Sequence, residues 1–332
     1  MELPESVSKF QSGLTKVSVE KDAVAMGTKS ALLVADAMKD SARSGRKSAL
    51  WLMAAPSGFA FYEAFIGLCS RDKELAKATK EAAFFQFDDY PVPRGDKRFP
   101  ITFRHLLETR FFAPLASVCG PLPGVRLLEI GTRADDKVAA EYAERLLRAA
   151  EDPDTCLIQL KGIGMDGHWG FHGDETPLDT PPAIVKVSMN KANIHQQKLD
   201  WPEFFADDKD VPTHAYTGDV ELFLKADIIV DNVPQASKAY SVLATYGTDA
   251  VIPEVPSTAL KRHPASYAFL TRDSASALLE FRALRAKDFS AVLSPDMLGK
   301  LEKLWDSGNS EARAENIARM REVLAILGMI GA

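Results

Sequence analysis

Short apolar runs alternate with helical segments through most of this 332-residue chain, and that alternation leaves few architectures open. Residues 48–55, 82–87, 125–131, 155–160, 183–189, 226–232 and 266–271 have strand length and are rich in aliphatic, β-branched or aromatic side chains. Between them, residues 57–69, 102–112, 135–150, 219–225 and 235–245 carry helical patterning. Strands separated by helices cross over and lie parallel, with helices packed on both faces. The predicted fold class is therefore α/β, a mainly parallel sheet flanked by helices. Residues 1–28 are expected to form an arm, and residues 29–272 the α/β domain, opening with an amphipathic helix over 29–44. Residues 273–332 are expected to be a helical extension of that domain, ending in a charged amphipathic stretch over 310–327.

A net charge of −6 argues against a nucleic-acid partner, since phosphate neutralisation needs a basic surface, but leaves room for a small anion held by a few lysines. The three cysteines, Cys69, Cys119 and Cys156, are far apart and form no Cys-x-x-Cys pair, which fits a reducing compartment. The first thirty residues intersperse charges among isolated apolar positions, so no secretory leader is expected. The longest apolar stretch, residues 59–69, is too short to span a bilayer and is broken by Glu63. A cytoplasmic protein with no membrane partner is the expectation.

The stretch richest in chemistry follows residues 155–160. The loop from Lys161 to Glu175 contains Gly162, Gly164, Gly167, Gly170 and Gly173, which forbid a stable helix, and it presents Asp166 and His168 at the C-terminal end of a strand. Ligands of open α/β sheets bind at that edge. A carboxylate beside a histidine fixes its tautomer and supports its protonated form, suiting general acid–base chemistry, although a structural hydrogen-bonded pair has the same sequence. His168 and His172 stand four apart as in a helical metal pair, but the glycines preclude the helix, so no metal is expected and His172 is a loop donor.

A second acidic site closes residues 82–87, where Asp88, Asp89 and Tyr90 precede Pro91 and Pro93. On extended backbone the two carboxylates face opposite ways, so one can enter a site while the other orients loops or caps a helix; a plain Asp-Pro turn is the alternative. Ser57 and Gly58 join a strand to a helix where backbone N–H groups suit a phosphate. Lys238 lies in a first helical turn, against the helix dipole, which invites a ligand explanation.

Together these stretches resemble the superfamily of glucosamine-6-phosphate deaminases and 6-phosphogluconolactonases (NagB-like), nearer the deaminase branch. The match rests on an acidic strand end (Asp88, Asp89, Tyr90) and a GxGxDGHxAF-type loop (Gly162, Gly164, Asp166, Gly167, His168, Phe171). A Thr217–Gly218 segment and a Lys238–Ala239 helix start support it, in the same order over about residues 30–270. The resemblance implies a Rossmann-like fold, a sugar-phosphate ligand and no cofactor. It also implies Asp88 as the proton shuttle between C2 and C1 of an opened amino-sugar phosphate, and His168, oriented by Asp166, as the ring-opening acid–base. Phosphate contacts are implied at Ser57, Gly58, Lys238 and Lys198, and a homo-oligomer is compatible. The chain departs from the family at Gly173, where deaminases carry a Glu; Asp174 or Glu175 are the candidate substitutes. Phe59, Phe61 and Trp169 replace smaller family residues and are expected to reshape the pocket. A deaminase or isomerase is the favoured reading. A sugar lactonase and a non-catalytic sugar-phosphate sensor are the rivals.

Overall fold

The computed structural model describes residues 5–304 and 310–331. Residues 1–4 of the expected arm, and 305–309 and 332 of the expected extension, lie outside the described residues. In chain order the strands are β1 (Ser8–Ser12), β2 (Thr15–Glu20), β3 (Lys47–Leu52), β4 (Ala83–Gln86), β5 (Asp88–Asp89), β6 (Val125–Arg126), β7 (Thr155–Lys161), β8 (Ile184–Ser188), β9 (His214–Gly218), β10 (Ile228–Val233) and β11 (Ser266–Thr271). Eight of them form one sheet in the order β1-β2-β11-β10-β7-β3-β4-β6. Every pairing in it is parallel except β1 with β2. The expected α/β sheet is present, and β3, β7, β10 and β11 stand in its middle.

β7 is buried along its whole length, and β3 along all but its first residue. Such strands read as continuous apolar runs because helices cover both faces. Helix Ala23–Arg43 is capped by Asp22, whose carboxylate accepts from Ala25 N–H at 2.8 Å, and it packs against helix Phe59–Cys69. Gly27 makes this approach possible, since a Cβ there would lie 2.4 Å from the Ala60 backbone.

Three expectations are corrected. Within the expected arm, residues 8–20 form a hairpin that docks on the sheet beside β11, and the first helix begins at Ala23 rather than at 29. The run at 125–131 yields only two strand residues, because Leu128 to Gly131 leave the ladder to receive a buried arginine. The run at 183–189 forms β8, which belongs instead to a separate three-stranded antiparallel sheet, β5-β9-β8. No helix among the described residues is long and apolar enough to cross a membrane.

Candidate active site

The small antiparallel sheet brings the two acidic motifs together. β5 places Asp88 opposite Thr217 of β9. The Thr217 hydroxyl accepts the Phe171 N–H at 3.1 Å and so pulls the glycine-rich loop onto the strand that carries Asp88. Gly170 is required at this crossing: its φ is +67°, and a Cβ would sit 2.4 Å from Thr217 Oγ1. Three aromatic contacts back the junction, with Phe171 stacked on Phe103 at 5.7 Å, Phe87 on Phe223 at 4.4 Å and Trp169 on Phe223 at 5.1 Å.

Within the loop, His168 Nδ1 lies 2.6 Å from Asp166 Oδ1, and the same carboxylate oxygen accepts the His168 backbone N–H at 3.1 Å. The imidazole lies over Gly164, where a Cβ would fall 2.1–2.2 Å from its ring atoms. Burial alone would raise the Asp166 carboxyl, but the charge and hydrogen bonds of His168 outweigh it and hold the acid down at about 2. Asp166 is thus a carboxylate throughout the physiological range, and Nδ1 is the nitrogen facing it. His172 serves the loop: its Nδ1 accepts from Val220 N–H at 3.2 Å, which leaves Nε2 to donate to Thr176 O at 3.1 Å. Among the described residues no group of three or more potential ligands could hold a metal ion.

Asp88 and Asp89 divide their labour as opposite faces of a strand require. Asp89 accepts from Gln86 Nε2, from the N–H groups of Tyr90, Phe103 and Arg104, and lies 3.6 Å from the Arg104 guanidinium. It thereby pins the first turn of helix Phe103–Leu107 and a fully buried Arg104, which donates onward to the carbonyls of Val92, Leu128 and Ile130. Asp88 faces the other way, into a cavity. It is buried, and burial followed by the charge of Asp89 pushes its carboxyl well above the ordinary range.

That cavity is tight, about 50 Å³, and its walls include Asp88, His168, Ser57, Gln235, Gln196 and Lys238. Lys238 Nζ donates to Gln196 Oε1 at 2.8 Å, and the Ser57 hydroxyl to Gln235 Oε1 at 3.0 Å. Burial depresses the Lys238 ammonium to about 8, against the opposing pull of Asp200 and Asp166. Asp200, also on the wall, is raised by burial, with Lys238 partly offsetting.

The structure brings Asp88, His168, Ser57 and Lys238 to one place, keeps Asp166 against His168, and sets Lys198, Gly58, Asp174 and Glu175 off the cavity wall. Lys198 turns away from the cavity, pairing with Asp208 at 2.7 Å, because on helix Lys191–Asp200 it lies off the stripe formed by Gln196, Gln197 and Asp200. Gly58 is buried behind Ser57 with its N–H on Ala55 O at 2.9 Å, closing a turn rather than facing the cavity. Phe61 is stacked on Phe65 in the core and Phe59 lies under Arg110, so neither reshapes the pocket; Trp169 is buried beneath the loop. Asp174 forms an ion pair with Arg319 of helix Ser310–Ile326. Glu175 folds back over Gly173, its Oε2 2.4 Å from where a Cβ on that glycine would be.

Gln196, Gln197, Asp200 and Gln235 are site residues that sequence reasoning missed. The usable signal was Asn190, which caps the helix through Asn193 N–H at 2.8 Å, followed by a polar stripe at 193, 196, 197 and 200. A second cavity, about 590 Å³, lies beyond His168 and Asp166 and is walled partly by Asp174, Tyr240, Arg319 and Met320.

No protein-family model matches the chain. It is 34% identical over 202 residues to a glucosamine-6-phosphate deaminase of Bacillus cereus strain B4264, covering 60% of this chain and 69% of that protein. It is 35% identical over the same length, with the same coverage, to that of Bacillus thuringiensis strain Al Hakam. Among solved structures, a monomeric glucosamine-6-phosphate deaminase matches with a TM-score of 0.66 at 19% identity, covering 78% of this chain and 98% of that one. The 6-phosphogluconolactonase of Trypanosoma brucei matches at 0.57 with 14% identity, covering 81% of this chain and 99% of that one. A shared fold and a third of the residues over most of a relative's length lead to one conclusion: the chain belongs to the superfamily of glucosamine-6-phosphate deaminases and 6-phosphogluconolactonases.

Proposed function

We propose that the chain is a deaminase or isomerase acting on an amino-sugar phosphate, moving a proton between adjacent carbons of the opened sugar. The observation that carries this reading is the placement of Asp88: a buried carboxylate with no cationic partner among the described residues, on the same cavity wall as His168 and Lys238. A carboxylate raised by burial is a stronger base than an exposed one and can return the proton it takes. In this reading Asp88 removes the proton from C2 and delivers it to C1. His168, oriented by Asp166, transfers the ring-oxygen proton that opens the sugar. Lys238 and the Ser57 hydroxyl hold the phosphate. Glu175, lying over Gly173, supplies the carboxylate that the relay otherwise lacks at that position. A cavity of about 50 Å³ is well below the usual volume of a ligand site, so substrate entry requires its walls to give way.

Incubation with a panel of amino-sugar and aldose phosphates, scoring ammonia and ketose release, is the direct test. Absence of turnover throughout the panel would sink the proposal. Gly173 favours one rival, lactone hydrolysis, in which His168 activates water and Asp88 shuttles nothing. An Asp88→Asn protein that hydrolyses sugar lactones at the full rate would establish that rival instead.

A further inference from the structure

Directly under the His168 loop the chain buries a charge pair that the proposed reaction does not use. Lys161, the last residue of β7, lies 3.3 Å from Asp231 of β10, and both side chains are completely buried. The two residues are register partners across the parallel ladder. Tyr246 donates its hydroxyl to the same carboxylate. Burying an ion pair costs desolvation that its attraction seldom recovers in full, and apolar replacements are often as stable. The pair is therefore a poor candidate for a device that merely holds the sheet together.

Two contacts of Lys161 lead to the His168 loop. Lys161 Nζ sits 4.6 Å from the ring centroid of Trp169, the next residue in the loop. It also lies 3.5 Å from Ser257 Oγ, which donates to the His168 carbonyl at 3.1 Å. The same carbonyl accepts the Gly164 N–H at 3.0 Å, closing the turn over which the imidazole lies. Ser257 N–H bonds Gly167 O at 3.0 Å, so this serine holds the loop twice. A desolvated cation over an indole is a strong, directional contact.

We propose that Lys161 is a positioning residue for His168, bracing it through the Trp169 ring on one side and through Ser257 and the His168 carbonyl on the other. Asp231 and Tyr246 keep the ammonium in place. Trp169, an unusual residue for this loop, is the platform that the ammonium requires. The brace rests on the reading of His168 as the reacting histidine, but its integrity can be measured without any turnover.

The test compares the full-length protein with Lys161→Met/Asp231→Leu/Tyr246→Phe and with Ser257→Ala, following amide hydrogen exchange and thermal unfolding. The triple variant removes the whole polar group at once and so leaves no buried charge unpaired. It is expected to unfold at or above the wild-type temperature while the Gly164 amide exchanges about tenfold faster. Ser257→Ala, which leaves the ion pair intact, is expected to speed Gly164 about threefold. Wild-type protection at Gly164 in either variant overturns the brace. So does acceleration spread equally over β7 and β10, which marks a structural role alone. Where the wild type turns over a sugar phosphate, kcat falls in the triple variant and KM stays within about twofold. A wild type without turnover, combined with the expected exchange pattern, refutes the proposed function and leaves the brace standing.

Discussion

The two cavities that meet at His168 treat charge in opposite ways. Among the described residues, Asp88 in the inner one pairs with no cation, Lys238 has only the amide oxygen of Gln196 as its hydrogen-bond acceptor, and burial has moved both away from their ordinary acidities. In the outer one the bases are already matched: Arg319 with Asp174, Lys191 with Glu315 at 2.5 Å, and His168 itself with Asp166. Unmet charge in a tight, dry space is costly unless a ligand completes it. Matched charge near solvent costs little and contributes little. In the proposed reading, chemistry lies on the Asp88 side of His168 and support on the Asp174 side.

Substitutions can break that contrast, and the expected effects fall off from the inner cavity outward. Asp88→Asn removes the base while keeping the shape, and turnover is expected to drop by about 10²–10⁴-fold with thermal stability unchanged or higher. Lys238→Met is expected to raise KM for a phosphorylated substrate by about 10–100-fold, the worth of a charge-assisted hydrogen bond, with a smaller change in kcat. The same lysine predicts a pH dependence. Its ammonium is lowered to about 8, so it is charged below that pH and neutral above it. Phosphate affinity should therefore fall as pH rises through about 8, whereas an ordinary lysine would hold its charge up to 10.5. Isothermal titration with inorganic phosphate between pH 6 and pH 10 would follow it, and a flat profile would remove Lys238 from the phosphate site.

Glu175→Gln keeps the fold-back over Gly173 but not the charge. A loss of roughly tenfold in kcat is expected if that carboxylate serves the relay, and none if it only fills space. Arg319→Ala should matter least. Its pair with Asp174 is partly exposed, and such pairs are worth up to about 1 kcal/mol, so neither kinetic parameter should move more than about fivefold. A loss at Arg319 as large as that at Lys238 would mean that the outer cavity takes part in the chemistry after all.

Much of this was legible in the chain because its strongest signals are local. The runs 155–160 and 266–271 became β7 and β11 with boundaries shifted by one residue at most, since buried parallel strands are apolar on both faces. Asp88, Ser57 and Lys238 were legible because each stands at a strand end or a helix start, and His168 because it lies in the glycine-rich loop that follows a strand. The N-terminal hairpin was hidden because it is short and offers few apolar positions, with only Phe10, Val17 and Val19 alternating with Lys9, Gln11, Lys16 and Ser18 at a sheet edge. β9 was hidden because its partners come from distant segments, and its value is tertiary: Thr217 matters only through Phe171 and Asp88. The helix Lys191–Asp200 is polar on several faces and so lacked the apolar stripe that marks a helix in sequence. Lys198 was misplaced for the same reason, since nothing local tells which polar face turns inward.

One amide has a consequence for how affinity in this protein can be tuned. Gln196 Oε1 accepts simultaneously from Lys238 Nζ and from the Met165 N–H, at 2.8 and 3.1 Å. In the proposed reading, in which Lys238 holds the phosphate, it is an internal competitor that the phosphate displaces. The measured binding constant is then a difference between two occupants of the same donors. Evolution can strengthen or weaken ligand capture by altering the competitor alone, leaving every group that touches the ligand unchanged.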